Sequence, residues 1–153
     1  MPIHNQLFIK KDKTLDSSAL TIQGPLIHVA ISVPPSLEKY LAENNQPIPN
    51  PITGIGLIDT GASITCVDQE VITKLDVPAV GYTDVFTPSG GERQNTHPAK
   101  IAFPGTNLPE INFNAVLASK LKAQKIIALL GRDVLRHFML VYNGTLGIFT
   151  VAF

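Results

Sequence analysis

GLIDTGASIT, residues 56–65, ends an apolar run in a single carboxylate, Asp59, and follows it with a hydroxyl, a glycine and an alanine. The preceding ITGIGLI, residues 52–58, has the length and composition of a buried strand, so Asp59 stands at the end of a rigid element. A general acid or base needs a fixed carboxylate in a partly dry site, where neighbours set its proton affinity. Gly61 has no side chain, which lets the backbone turn sharply and lets another chain come close. Thr60 offers a hydroxyl that can tie the turn to a neighbour. The plainer alternative is a strand end followed by an ordinary Asp-Thr-Gly turn, so the tripeptide alone decides nothing.

Around this stretch, 153 residues suit one domain with a real core. A hydrophobic share of 44% against 16% charged residues excludes a disordered chain. Twelve basic residues balance twelve acidic ones, and no basic patch of the kind that drives nucleic-acid binding is visible. The low charge leaves room for apolar surface buried between subunits. One cysteine, Cys66, excludes an internal disulfide and a multi-cysteine metal site; it reads as a buried reduced thiol. The start, MPIHNQLFIKKDK, lacks the apolar centre of a signal peptide, and no apolar run approaches the ~20 residues of a membrane span. The expectation is a cytoplasmic protein with no membrane and no nucleic-acid partner.

Turn residues at short intervals predict a mainly β chain with a few short helices and no repeats. ALTIQ (19–23) and LIHVAISV (26–33) read as strands flanking Gly24-Pro25. Prolines 34, 35, 47, 49 and 51 mark an elaborate loop, within which SLEKYLAENN (36–45) makes a short helix. DQEVITKL (68–75) reads as a helix capped by Asp68, with Val71, Ile72 and Leu75 on its inner face. YTDVFTPSGGERQNT (82–96) has the form of a hairpin tipped by Pro88-Ser89-Gly90-Gly91. KIAF (100–103) and INFNAVL (111–117) read as strands, the second with Ile111, Phe113, Ala115 and Leu117 facing one way. IIALLG (126–131) is a short buried strand, RDVLRHF (132–138) a helical turn or two, and MLVYNGTLGIFTVAF (139–153) a hairpin around Asn143-Gly144.

Asp59-Thr60-Gly61-Ala62 after apolar residues, followed later by Leu129-Leu130-Gly131-Arg132-Asp133, resembles the retropepsin-like aspartic proteases, with a glycine-tipped hairpin between the two motifs. The resemblance spans residues 20–153, including the proline-rich insertion at 34–51; residues 1–19 form an N-terminal extension without a counterpart. It implies a single-lobe β-barrel that is homodimeric. Such enzymes use two aspartates side by side, and this chain holds one motif, so Asp59 of each subunit would meet at a two-fold axis. The implied activity is endopeptidase cleavage of extended polypeptide, with no metal and no other cofactor. The competing function is a catalytically silent dimeric module that binds peptides through the same fold.

The resemblance also assigns supporting roles. Thr60 would brace the two loops across the axis, Gly61 would present its carbonyl to the substrate, and Ala62 would support the active-site loop at a position where pepsin-like enzymes often have a hydroxyl that bonds the aspartate. Arg132 and Asp133 would support the active-site loop, with Leu129, Leu130 and Gly131 packed behind it. The hairpin, roughly residues 84–97, would be the flap, with Ser89, Gly90 and Gly91 meeting substrate. Ser63 departs from the viral pattern, which often has an acid there to pair with the arginine, and leaves Arg132 in need of another partner.

Other signals carry little. GIGLID lacks the third glycine of a dinucleotide site. SLEK has no companion Lys-Thr-Gly, and Asn143-Gly144-Thr145 reads as a turn before a glycosylation acceptor. His4, His28, His97 and His137 show no metal-ligand spacing. His137, beside Phe138, reads as a satisfied core or interface histidine.

Overall fold

In a computed structural model the chain is described at residues 1–87 and 90–153. Strand-forming apolar runs give β2 (Leu26–Ser32), β3 (Ile52–Ile58), β4 (Cys66–Asp68), β6 (Gly90–Ala102), β7 (Ile111–Ser119) and β8 (Ala128–Leu130). Their order is β2-β3-β8-β4-β7-β6, and β6 pairs back onto β2, so six strands close into a barrel. Closure removes the open edges that a flat sheet of this size would present. The interior is aliphatic: Val29, Ile31, Val67, Ile101, Val116 and Ala128 are all fully buried. The mainly β expectation holds.

Strand β5 (Gly81–Thr87) stands apart, because it pairs only with the first half of β6. A smaller three-stranded sheet joins β1 (Ile3–Leu7), β10 (Ile148–Ala152) and β9 (Met139–Asn143). Residues 3–7 therefore form one edge of this sheet, antiparallel to β10, which buries Phe149 and Val151 in the core. Between β2 and β3 the proline-rich segment carries helix α2 (Pro35–Glu43), with Pro35 in its first turn, where a missing N–H costs nothing. Helix α3 (Gln69–Lys74) starts as expected: Asp68 Oδ1 accepts from Glu70 N–H at 2.9 Å, and its Oδ2 takes Leu121 N–H at 2.8 Å.

Two local expectations fail for identifiable reasons, and a third is narrowed. ALTIQ is not a strand but helix α1 (Ala19–Gln23). Asp16 accepts from both Ser18 N–H and Ser18 Oγ, fixing a turn just ahead, and Gly24 at φ 76° stops the helix. Ala19 and Leu20 are buried side by side while residues 21–23 are exposed, a helical and not an alternating pattern. On β7, Ala115 is exposed and Val116 is buried, because the register shifts opposite Pro98, a residue with no N–H to give the ladder. His137 is hydrogen-bonded, accepting from Arg136 Nε at 3.0 Å, but it is exposed and so not in the core; the histidine buried in the core is His97, whose Nδ1 lies 2.9 Å from the Val77 carbonyl oxygen. Among the described residues no helix is long and apolar enough to cross a membrane.

Candidate active site

Strand β8 lies between β3, which runs parallel to it, and β4, which runs antiparallel. The chain must therefore pass around the end of β8 between residues 59 and 65, and that crossing places Asp59. Its backbone N–H donates to the Leu130 carbonyl at 2.9 Å, extending the β3–β8 pairing through the acid itself. Its half-buried carboxylate accepts from Gly61 N–H at 2.7 Å through Oδ1. A Cβ on Gly61 would stand 3.0 Å from that same oxygen, so the turn is built around a missing side chain. Ala62 N–H closes the turn onto the Asp59 carbonyl at 3.3 Å.

The second motif grips this turn from below. Arg132 donates through one guanidinium nitrogen to the carbonyls of Thr60 and Gly61, both at 2.9 Å, and its backbone N–H meets the Ala62 carbonyl at 2.9 Å. These bonds answer the question raised by Ser63: the arginine pairs with backbone oxygens and needs no acid at that position. Helix α4 (Arg132–Leu135) begins here. Asp133 accepts from Thr65 Oγ1 at 2.7 Å, Thr65 N–H at 2.9 Å and Val134 N–H at 2.9 Å. Thr65 Oγ1 in turn accepts from Gly131 N–H at 3.0 Å. A Cβ on Gly131 would sit 2.8 Å from the Ile64 carbonyl carbon, so only glycine lets the two segments cross this closely.

Thr65 is the residue that sequence reasoning missed. It is fully buried and donates, accepts and offers its backbone to the second motif at once. The available signal was a hydroxyl within an apolar run just before Cys66-Val67, since a buried hydroxyl requires partners.

Asp59, Thr60, Gly61, Ala62, Arg132 and Asp133 thus come together as the two motifs implied. Thr60 is exposed, and among the described residues its hydroxyl has no hydrogen-bond partner. Beside the loop opens a cleft of about 340 Å³, walled by Ala62, Ser63, Ile64 and Cys66 on one side and by Thr83 to Phe86 of β5 on the other. Gly90 and Gly91 begin β6 at the far end of that hairpin, Gly91 against the Phe86 ring. Ser89 lies outside the described residues.

Cys66 is half-buried on the cleft wall, not sealed in the core. Burial pushes its thiol up, the Asp133 and Asp59 charges add to the rise, and a hydrogen bond with Ser119 opposes it. The thiol is thereby held neutral and weakly nucleophilic. Among the described residues no three His, Cys, Asp or Glu side chains stand close enough to hold a metal ion.

No family model matches the chain, and no curated protein matches it. Among solved structures it is similar to the simian foamy virus (mac) protease, at 17% identity and a TM-score of 0.45, over 73% of this chain and 92% of that one. It is also similar to a retropepsin-like aspartic protease from Rickettsia conorii, at 14% identity and a TM-score of 0.48, over 100% of this chain and 97% of that one. A foamy viral protease-reverse transcriptase in complex with an RNA/DNA hybrid aligns at 16% identity and a TM-score of 0.47, over 75% of this chain and 12% of that one.

Proposed function

We propose that this chain is a retropepsin-like aspartic endopeptidase whose active unit is a homodimer. The observation that carries the reading is the Asp59 turn itself. A carboxylate is held by Gly61 N–H at the end of a barrel strand, and the turn is fixed by Arg132 and Asp133 from a distant motif. So much structure spent on presenting one half-buried acid fits catalysis better than a simple turn. One copy supplies one carboxylate, and a two-fold axis beside the turn supplies the second.

Two carboxylates in contact resist double ionisation and share one proton. The ionised Asp59 accepts a proton from a water held between the pair as the water oxygen attacks the peptide carbonyl carbon. The other Asp59 donates to the carbonyl oxygen as charge gathers there. Collapse of the tetrahedral species breaks the C–N bond, and the nitrogen leaves with a proton returned from the pair. The exposed Thr60 hydroxyl is suited to bridge to the opposite loop. The Gly61 carbonyl, already bonded to Arg132, keeps a second lone pair for the substrate backbone. Substrate would lie extended in the cleft beneath β5, bonded as an added strand.

Peptide-library cleavage between pH 4 and 7 tests the proposal, with Asp59→Asn as control. The expected outcome is cleavage by the wild type and a loss of at least about 100-fold in the variant, with dimerisation retained. Peptide binding without cleavage by either protein would favour the silent module.

A further inference from the structure

The β5–β6 hairpin overhangs the barrel. Among the described residues strand β6 joins β7 only from Thr96 onward, so in the strand ladders residues 82–87 pair with residues 90–95 and not with the barrel. An isolated two-stranded ribbon is marginal in water and needs side-chain ties to hold a shape. Across this ribbon Asp84 faces Arg93, and Tyr82 faces Asn95. Arg93 lies over the Tyr82 ring, 4.2 Å from its centroid, and its Nε donates to Asp84 Oδ1 at 3.2 Å. One guanidinium therefore joins both strands near the ribbon's midpoint. On the inner side, Ser119 Oγ donates to Gln94 Oε1 at 2.9 Å and fastens the ribbon's base to β7. Asp84 also lines the cleft, so Arg93 neutralises a carboxylate on the cleft wall.

We infer that Arg93 is a positioning residue: its stack on Tyr82 and its bond to Asp84 fix how the β5–β6 ribbon stands over the cleft. The inference rests on the protease reading only for its kinetic consequence. A planar, forked cation is needed to hold ring and carboxylate together, a task lysine performs less well. Near the base, Gln94–Ser119 sets where the ribbon leaves the barrel; beyond it, Arg93 sets how stiffly the ribbon extends.

Hydrogen exchange and peptide kinetics on wild type, Arg93→Ala and Arg93→Lys test this. In Arg93→Ala the amides of residues 82–86 and 91–95 should exchange about fivefold faster, the loss of one exposed stack and one exposed ion pair. Strand β7 should exchange as in wild type. KM for a cleaved peptide should rise by a similar factor of about five, with kcat changed far less, and Arg93→Lys should fall between. Unchanged exchange in the ribbon, or loosening spread equally through β7, would overturn the inference. So would a loosened ribbon with KM unmoved. If the wild type cleaves nothing, the protease reading fails, while the exchange arm still decides the role of Arg93.

Discussion

The cleft has a floor and a cover built on opposite physical terms. The floor, residues 61–66 beside the Asp59 turn, is held by Leu130, Arg132 and Asp133 through bonds that are long in sequence; those joining Thr65 to Gly131 and Asp133 are buried or part-buried, while the Arg132 guanidinium stays exposed. The cover, β5 with the first half of β6, is held by its own ladder and by an exposed Arg93–Asp84 pair. Buried hydrogen bonds are costly to break because the orphaned group finds no water. Exposed ion pairs are worth little each. In the proposed function this asymmetry would hold one carboxylate still while admitting a chain.

Substitutions on the two sides should therefore differ in kind. The largest effect is expected at Asp133→Ala, which strips acceptors from Thr65 and Val134 and leaves a buried threonine unsatisfied. A loss of about 3 kcal/mol is expected in urea unfolding, and cleavage should fall because the Asp59 turn loosens. Thr65→Val should cost somewhat less, about 1–3 kcal/mol, by freeing the Asp133 carboxylate and Gly131 N–H. On the cover, Asp84→Asn should change global stability by less than about 1 kcal/mol. An Asp84 effect as large as that of Asp133 would break the contrast between floor and cover.

The floor was legible in the sequence because its parts are chemically conspicuous: an acid after an apolar run, then glycine, and a second motif with its own glycine and charges. The barrel strands were legible too, since ITGIGLI and LIHVAISV leave few other options. What escaped was whatever depends on long-range pairing. ALTIQ is as apolar as a strand, and only the Asp16–Ser18 turn and the packing of Ala19 and Leu20 make it a helix. The inward face of β7 switched at Ala115 because Pro98 sits opposite, which no pattern within β7 reveals. Thr65 was overlooked because its three bonds reach residues 131 and 133. The Arg93 contacts are short-range but set by cross-strand register, which hairpin tip chemistry alone does not give.

The smallest expected effect concerns Cys66, where floor and cover meet. The folded thiol holds its proton more tightly than the unfolded chain, whose ordinary value is 9.0. Its contribution to stability is thus complete below that value and falls as pH rises past it. Cys66→Ala should flatten this alkaline decline in a pH series of urea midpoints. In the native protein, alkylation of the thiol at pH 8 should be slower than that of a free cysteine.

The central claim is that one site is made from two Asp59 side chains on two copies. Co-refolding wild type with Asp59→Asn at varied ratios tests it directly, since only pairs of wild-type subunits would carry a complete site. Peptide cleavage should follow the square of the wild-type fraction, dropping to roughly a quarter at equal mixing. Cleavage that falls in direct proportion to the wild-type fraction would contradict the account, because each copy would then hold a complete site of its own.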